Sequence, residues 1–107
     1  MRMESAAPTT TLTTTDNTEL SRIDAHVDGA LVGFAAYEVC DDGVYTFHHT
    51  EVFEGNEGRG FGQRLAEGVV RFAREQDVRI HPTCSFLASY LRKHPDSQDV
   101  LDPKFEV

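Results

Sequence analysis

The chain contains no tryptophan, only two cysteines and only four prolines, and it is short of positive charge. Ten Lys and Arg stand against 18 Asp and Glu, a net of −8. Each shortage excludes something. Duplex nucleic acid is held through cationic contacts to phosphate, so a chain this acidic is not expected to bind it. Cys40 and Cys84 lie far apart and match no zinc or redox spacing, so no metal site is expected. In the absence of an export signal they read as reduced thiols of a cytoplasmic protein. No apolar run approaches the ~20 residues of a membrane span, and no basic segment followed by an apolar one marks a signal peptide. What is present is 107 residues, 39% hydrophobic and 26% charged. That is enough for one folded domain and too little for a second core.

The charge deficit is uneven. Residues 1–58 carry eleven acidic side chains against Arg2 and Arg22, a net of −9, whereas residues 59–107 carry seven against eight basic ones, a net of +1. A phosphorylated ligand, if one binds, is therefore expected in the second half. Residues 1–18 are Thr-rich and have no apolar period, which reads as a disordered leader. Residues 19–107 are left as the domain.

Two periods divide that domain. "LSRIDAHV" (20–27), "ALVGFAAYEV" (30–39) and "VYTFHHTEVF" (44–53) read as strands, separated by turns at Asp28-Gly29 and Asp41-Asp42-Gly43. The second is the most apolar and is expected to be central. In the third, strict alternation sets Val44, Thr46, His48 and Thr50 on one face and Tyr45, Phe47, His49 and Glu51 on the other. From Phe61 the spacing becomes helical, with Leu65, Val69 and Phe72 on one stripe, over a helix starting near Gly60 and ending by Asp77. "VRI" (78–80) reads as a short strand. A second helix follows over 84–94, with Phe86, Leu87, Tyr90 and Leu91 at core spacing and Pro95 ending it. The order is β-β-β-α-β-α, an α/β (α+β) fold built as an antiparallel meander followed by α-β-α.

Between the meander and the long helix, "EVFEGNEGRGFGQRL" places four glycines within eight positions. The first amides of a helix lack internal partners and sit at the positive end of its dipole. Glycines there let an anion approach them, and Arg59 and Arg64 can add charge. A loop whose glycines only relieve strain has the same composition. A P-loop is excluded because no Lys-Ser or Lys-Thr follows, and a dinucleotide fingerprint because the glycines run G-x-G-x-G in too short a chain.

This stretch resembles motif A of the GNAT acetyltransferase superfamily, [QR]-x-x-G-x-[GA] after a strand ending in valine. Val52, Gly60, Gly62 and Leu65 match, and Glu57 stands where Gln or Arg is usual. "ASYLRKHP" resembles motif B, and the ordered set "HHTEV", "EGRGFG", "CSF" and "HPDSQDVL" is most similar to the short NATD-type branch. The resemblance implies a minimal acetyl-CoA-binding domain. Val52 would bond the pantetheine arm as an added strand. Glu57, Gly58, Arg59, Gly60, Phe61, Gly62 and Arg64 would form the pyrophosphate and cofactor region.

Acetyl transfer to an amine needs a base, stabilisation of the thioester oxygen and a proton for the leaving thiolate. Glu51, His48 and His49 are the candidate bases, each also readable as a surface or strand-packing residue. Tyr90 matches the superfamily's proton-donating tyrosine and is also a candidate core aromatic. Cys84 opens the last helix, where a thiol is well placed to react with an acyl group, and it also suits a buried strand-to-helix junction. Larger GNAT domains wall their acceptor site with extra N-terminal helices and a C-terminal strand pair. Here neither is evident, so the acceptor, a small-molecule or peptide amine, is expected to meet an open site or one completed by a protein partner or self-association. A non-catalytic acyl-CoA-binding module and a fold-only interaction domain are the alternatives.

Overall fold

The alternating stretches become strands, and one stretch without alternation joins them. The computed structural model describes residues 11–56 and 58–105. In chain order it runs β1 (Leu12–Asn17), β2 (Arg22–Val27), β3 (Ala30–Val39), β4 (Tyr45–Val52), α1 (Phe61–Gln76), β5 (Ile80–Pro82), α2 (Ser85–Lys93) and a 3-10 turn at Pro95–Val100. The strands form one sheet in the order β1-β2-β3-β4-β5, antiparallel through β4 and parallel between β4 and β5. The β-β-β-α-β-α order is present and β3 is central. A further strand precedes it.

That strand corrects the reading of residues 1–18 as a disordered leader. Positions 1–10 lie outside the described residues, but β1 pairs with β2 along its whole length, from Leu12 with Val27 to Asn17 with Arg22. Threonine is β-branched and suits a strand. An edge strand also needs little apolar burial when its side chains find specific partners. The Tyr37 hydroxyl donates to Asp16 at 2.6 Å. Thr14 lies against α1 where Gly68 has no side chain; a Cβ there would fall 2.4 Å from Thr14 Cγ2.

Two boundaries move as well. Leu20 stands in the β1–β2 turn, 58% exposed, and β2 begins at Arg22. β5 starts at Ile80, not Val78, because the Val78 amide is used to close α1, donating to the Ala73 carbonyl at 3.0 Å behind a left-handed Asp77.

The core is one-sided. Ile23, Ala25, Ala35, Tyr37, Phe47 and Ile80 meet Leu65, Val69, Leu87 and Leu91 from the two helices. Among the described residues no helix covers the opposite face, which presents Arg22, Phe34, His49 and Glu51. Nor is any described helix long and apolar enough to cross a membrane.

Candidate cofactor and catalytic site

Strict alternation along β4 fails at His48. Ala36 faces His49 and Tyr37 faces Phe47, so His48 has no opposite number and forms a β-bulge. One inserted residue reverses the facing of everything after it. Phe47 is fully buried in the core, yet His49 and Glu51 turn to the uncovered face, and Thr50 and Val52 take the helix side. Thr50 was expected to face away from Phe47; the bulge puts it on the same side.

At the same point β5 departs. It pairs with β4 only from Tyr45 with Ile80 to Phe47 with Pro82. The amides of Thr83 and Cys84 both donate to the Phe47 carbonyl, at 2.9 and 3.2 Å, and close the ladder. Beyond it, among the described residues, the β4 edge has no strand beside it. The Phe53 amide donates to Val32 on the β3 side. Alternation therefore sends the amides of Val52 and Thr50 to the vacant edge, where an extended ligand could meet them. That edge borders a cavity of about 230 Å³ lined by Thr50, Val52, Gly62 and Phe86. A larger hollow of about 570 Å³ lies beside Arg74, Arg79 and Asp99. Arg74 there already bonds the Asp99 carboxylate and Arg79 the Asp99 carbonyl, so volume alone does not mark it as a site.

The glycines divide into two kinds. Gly58 (φ 81°) and Gly60 (φ 77°) hold the left-handed backbone that favours glycine, and among the described residues a Cβ at either would meet nothing within 4 Å. Gly60 is the N-cap of α1, which has no side-chain cap and no acidic residue in its first turn. Among the described residues nothing covers the positive end of the helix, and the place fits a diphosphate. Gly62 serves packing instead: a Cβ there would lie 3.0 Å from Phe86 Cζ, so its absence lets the α2 ring close over the cavity. Phe61, expected beside the cofactor, is only 3% exposed and belongs to the core, leaving its backbone alone for a ligand. The Arg59 guanidinium stands 6.0 Å from the Phe61 ring, and the Arg64 amide donates to Gly60 within the first turn. Glu57 lies outside the described residues.

On the uncovered face His49 Nε2 and Glu51 Oε1 are 3.2 Å apart, and the His49 ring lies 5.8 Å from that of Phe34. His48 is exposed at the bulge. On the helix side the Cys84 thiol is 3.2 Å from the Thr50 hydroxyl, at the floor of the gap between β4 and α2. Tyr90 lies further along α2, buried and stacked on His94 at 4.0 Å, and lines a different cavity with Gln63 and Phe86. Burial first, then the carboxylates of Glu67 and Asp96, hold its phenol above the ordinary value, so it stays protonated at neutral pH. The structure therefore gathers Val52, Gly62 and Cys84 on one side of β4 and sets His49 and Glu51 on the other. Tyr90 is apart from both groups. Among the described residues no cluster of His, Cys, Asp and Glu could hold a metal ion.

Thr50 and Phe86 escaped the sequence reading. The bulge hides the first, since alternation carries no signal for an inserted residue. Helical spacing puts the second on the buried stripe of α2, yet it is 43% exposed.

Comparison with known proteins accords with this geometry. A family model described as GCN5-related N-acetyl-transferase matches residues 22–100. Protein NATD1 from Homo sapiens is 32% identical over 59 residues, 55% of this chain and 52% of that protein. NATD1 from Danio rerio is 31% identical over 62 residues, 58% and 56% of the two chains. The chain spans about half the length of the curated relatives it matches. Among solved structures, a GCN5-like candidate N-acetyltransferase from Staphylococcus aureus, determined in solution by NMR, superposes with a TM-score of 0.61 at 28% identity, over 77% of this chain and 81% of that one. The ribosomal-protein-alanine N-acetyltransferase of Brucella melitensis shares the fold, with a TM-score of 0.51 at 20% identity over 80% of this chain and 60% of that one. With more than two thirds of its length under the family model and its β4–β5 parting beside a glycine-capped α1, the chain belongs to the GCN5-related N-acetyltransferase family.

Proposed function

We propose that the protein transfers an acetyl group from acetyl-CoA to an amine arriving from the uncovered face of the sheet. Members of this family generally use acetyl-CoA. The observation that carries the reading is the parting of β4 from β5 at the His48 bulge, which leaves a vacant strand edge leading to the uncapped start of α1. Bound there, the cofactor supplies an activated thioester. Thr50 and Val52 bond its amide arm as an added strand. The backbone at 58–62 receives the diphosphate, with charge from Arg59 and Arg64. His49, oriented by Glu51 at 3.2 Å, takes the proton from the incoming ammonium on the far side of the same strand. The Cys84–Thr50 pair, at the floor of the gap, is better placed than Tyr90 to meet the sulfur end.

One feature favours a second reading, a module that binds acyl-CoA without turnover: nothing among the described residues walls the acceptor side. Calorimetry with acetyl-CoA and CoA, against ATP and NAD, separates the possibilities when followed by assay of free CoA in the presence of polyamines, peptides or aminoglycosides. Binding of both CoA species and neither control, with CoA released by at least one amine, is expected. Binding without release leaves the module, and no binding overturns the cofactor assignment.

A further inference from the structure

Strand register sets two rows of side chains across the uncovered face of the sheet. Arg22, Ala36 and His49 stand side by side on β2, β3 and β4, and Asp24, Phe34 and Glu51 form the next row. Neighbouring strands lie about 4.8 Å apart, so the backbones at Arg22 and His49 are separated by roughly 10 Å. Both side chains reach the ring between them. The Arg22 guanidinium carbon is 4.6 Å from the Phe34 centroid, and the His49 ring is 5.8 Å from it. Ala36, small and half-buried, keeps the floor between the two heads low.

The arginine is braced. Its Nε–H donates to Asp24 Oδ1 at 2.6 Å, and the Asn17 side-chain amide donates to Asp24 Oδ2 at 2.9 Å. The Asn17 side-chain carbonyl in turn accepts from the Leu20 amide. Asp24 is buried and has both oxygens engaged. Among the described residues the two Nη groups of Arg22 have no hydrogen-bond partner. A guanidinium fixed through Nε, with its Nη edge free, is preorganised to take a carboxylate through two bonds. At the other end of the floor stands the His49–Glu51 pair, 3.2 Å apart.

We infer that the acceptor is an alkylamine whose far end is a carboxylate, in the class of the basic amino acids. The inference rests on the transfer reading above and names its acceptor. Arg22 holds the carboxylate, the methylene chain lies along Phe34, and the terminal ammonium meets His49. The second ammonium of such an acceptor stays in solvent and keeps it net positive, as the acidic half of the chain favours. His49 takes the proton of the terminal ammonium, and the nitrogen attacks the thioester carbon. The N–C bond forms as the C–S bond breaks, and the nitrogen's second proton passes to the departing thiolate, releasing CoA as the thiol.

The test compares lysine with lysinamide as acceptors for the full chain, by CoA release and by mass spectrometry of the product. The two share both amines and the stem and differ at the carboxylate. The long-range field favours the amide, so a preference for the acid comes from a local contact. Wild type should use lysine several-fold to tenfold better in kcat/KM, the range of one partly exposed charge pair. The acetyl group should sit on the side-chain nitrogen. Arg22→Lys keeps a charge beside Asp24 but loses the fork, and should erase the preference by raising KM for lysine; equal melting temperatures check its fold. Ala36→Leu fills the floor from the same face and should raise KM for lysine, which keeps the subsite testable should Arg22→Lys not fold. If wild type uses the two acceptors equally or prefers the amide, if the acetyl group sits on the α-nitrogen, or if Arg22→Lys keeps the preference, the carboxylate subsite is overturned while acetyl transfer stands. If no amine releases CoA, transfer itself fails and the subsite with it.

Discussion

Gly60 shows how much a single position can decide. Its left-handed φ of 77° penalises most side chains, and among the described residues a Cβ there would meet nothing within 4 Å, so the place stands clear for a ligand. Aspartate tolerates left-handed backbone better than other residues, and its charge is favourable at a helix start. Gly60→Asp should therefore keep cooperative unfolding, with stability within about 1 kcal/mol of wild type. It should lose CoA binding, because the carboxylate would occupy and repel the anion site. Thermal unfolding and calorimetry on the one variant check both halves; retained affinity would sink the diphosphate assignment. Tyr90 teaches the reverse. Its residue type and helix position suggested a proton donor, and its protonation state allows one, but the ring packs between the helices and away from the β4 gap.

At the scale of elements, the contact between α1 and β1 is the most exposed to test. Glycine within a helix costs about 1 kcal/mol relative to alanine, and at Gly68 that cost is offset by the close seating of Thr14. Gly68→Ala should gain helix propensity but displace β1. We expect faster amide exchange confined to residues 12–17 and a net loss of about 1–2 kcal/mol, partly restored by Thr14→Ala. Unchanged exchange in β1 would refute the seating. A second link joins α1 to the 3-10 turn, where Arg74 grips Asp99 through two nitrogens. That bond holds the Asp99 carboxyl below its ordinary value. A lowered folded-state value stabilises above the unfolded value and is lost as pH falls through the folded one. Asp99→Asn should thus destabilise slightly at pH 7, less as pH drops below about 4, and not at all once pH lies below the lowered folded-state value. The effect is small because both side chains are about half exposed. An equal loss at both ends of the range would mean the ion pair is not its cause.

These elements also show where sequence was readable. β2, β3, β4, α1 and α2 were legible because each buries one face and so writes its period into its apolar residues. β1 was not, because it docks through threonines and one carboxylate; the clue lay in Gly68, a glycine with no evident purpose in a strongly patterned helix. The glycine entrance was legible as composition. The bulge that directs His49, Glu51 and Thr50 was not, since it arises from cross-strand register.

Over the whole molecule, the surplus of acidic groups lies in the half that builds the sheet, and the cofactor it is proposed to hold is itself an anion. The field thus disfavours the donor and favours a cationic acceptor. With a polyamine as acceptor, kcat/KM should fall several-fold between about 0.02 and 0.3 M salt, as screening shortens the reach of the acidic face. An uncharged amine should respond little. Equal responses would remove charge from acceptor choice. The β1–β2 turn, residues 18–21, is the feature with the longest reach. It is four exposed residues long, and Arg22, at its exit, lies 4.6 Å over the Phe34 ring that neighbours His49. Doubling a loop costs only about 0.6 kcal/mol of closure entropy. A segment grafted at this joint could roof the open face without touching the β4 gap or the glycine entrance. Acceptor choice could then be exchanged like a cartridge while the donor machinery is inherited unchanged.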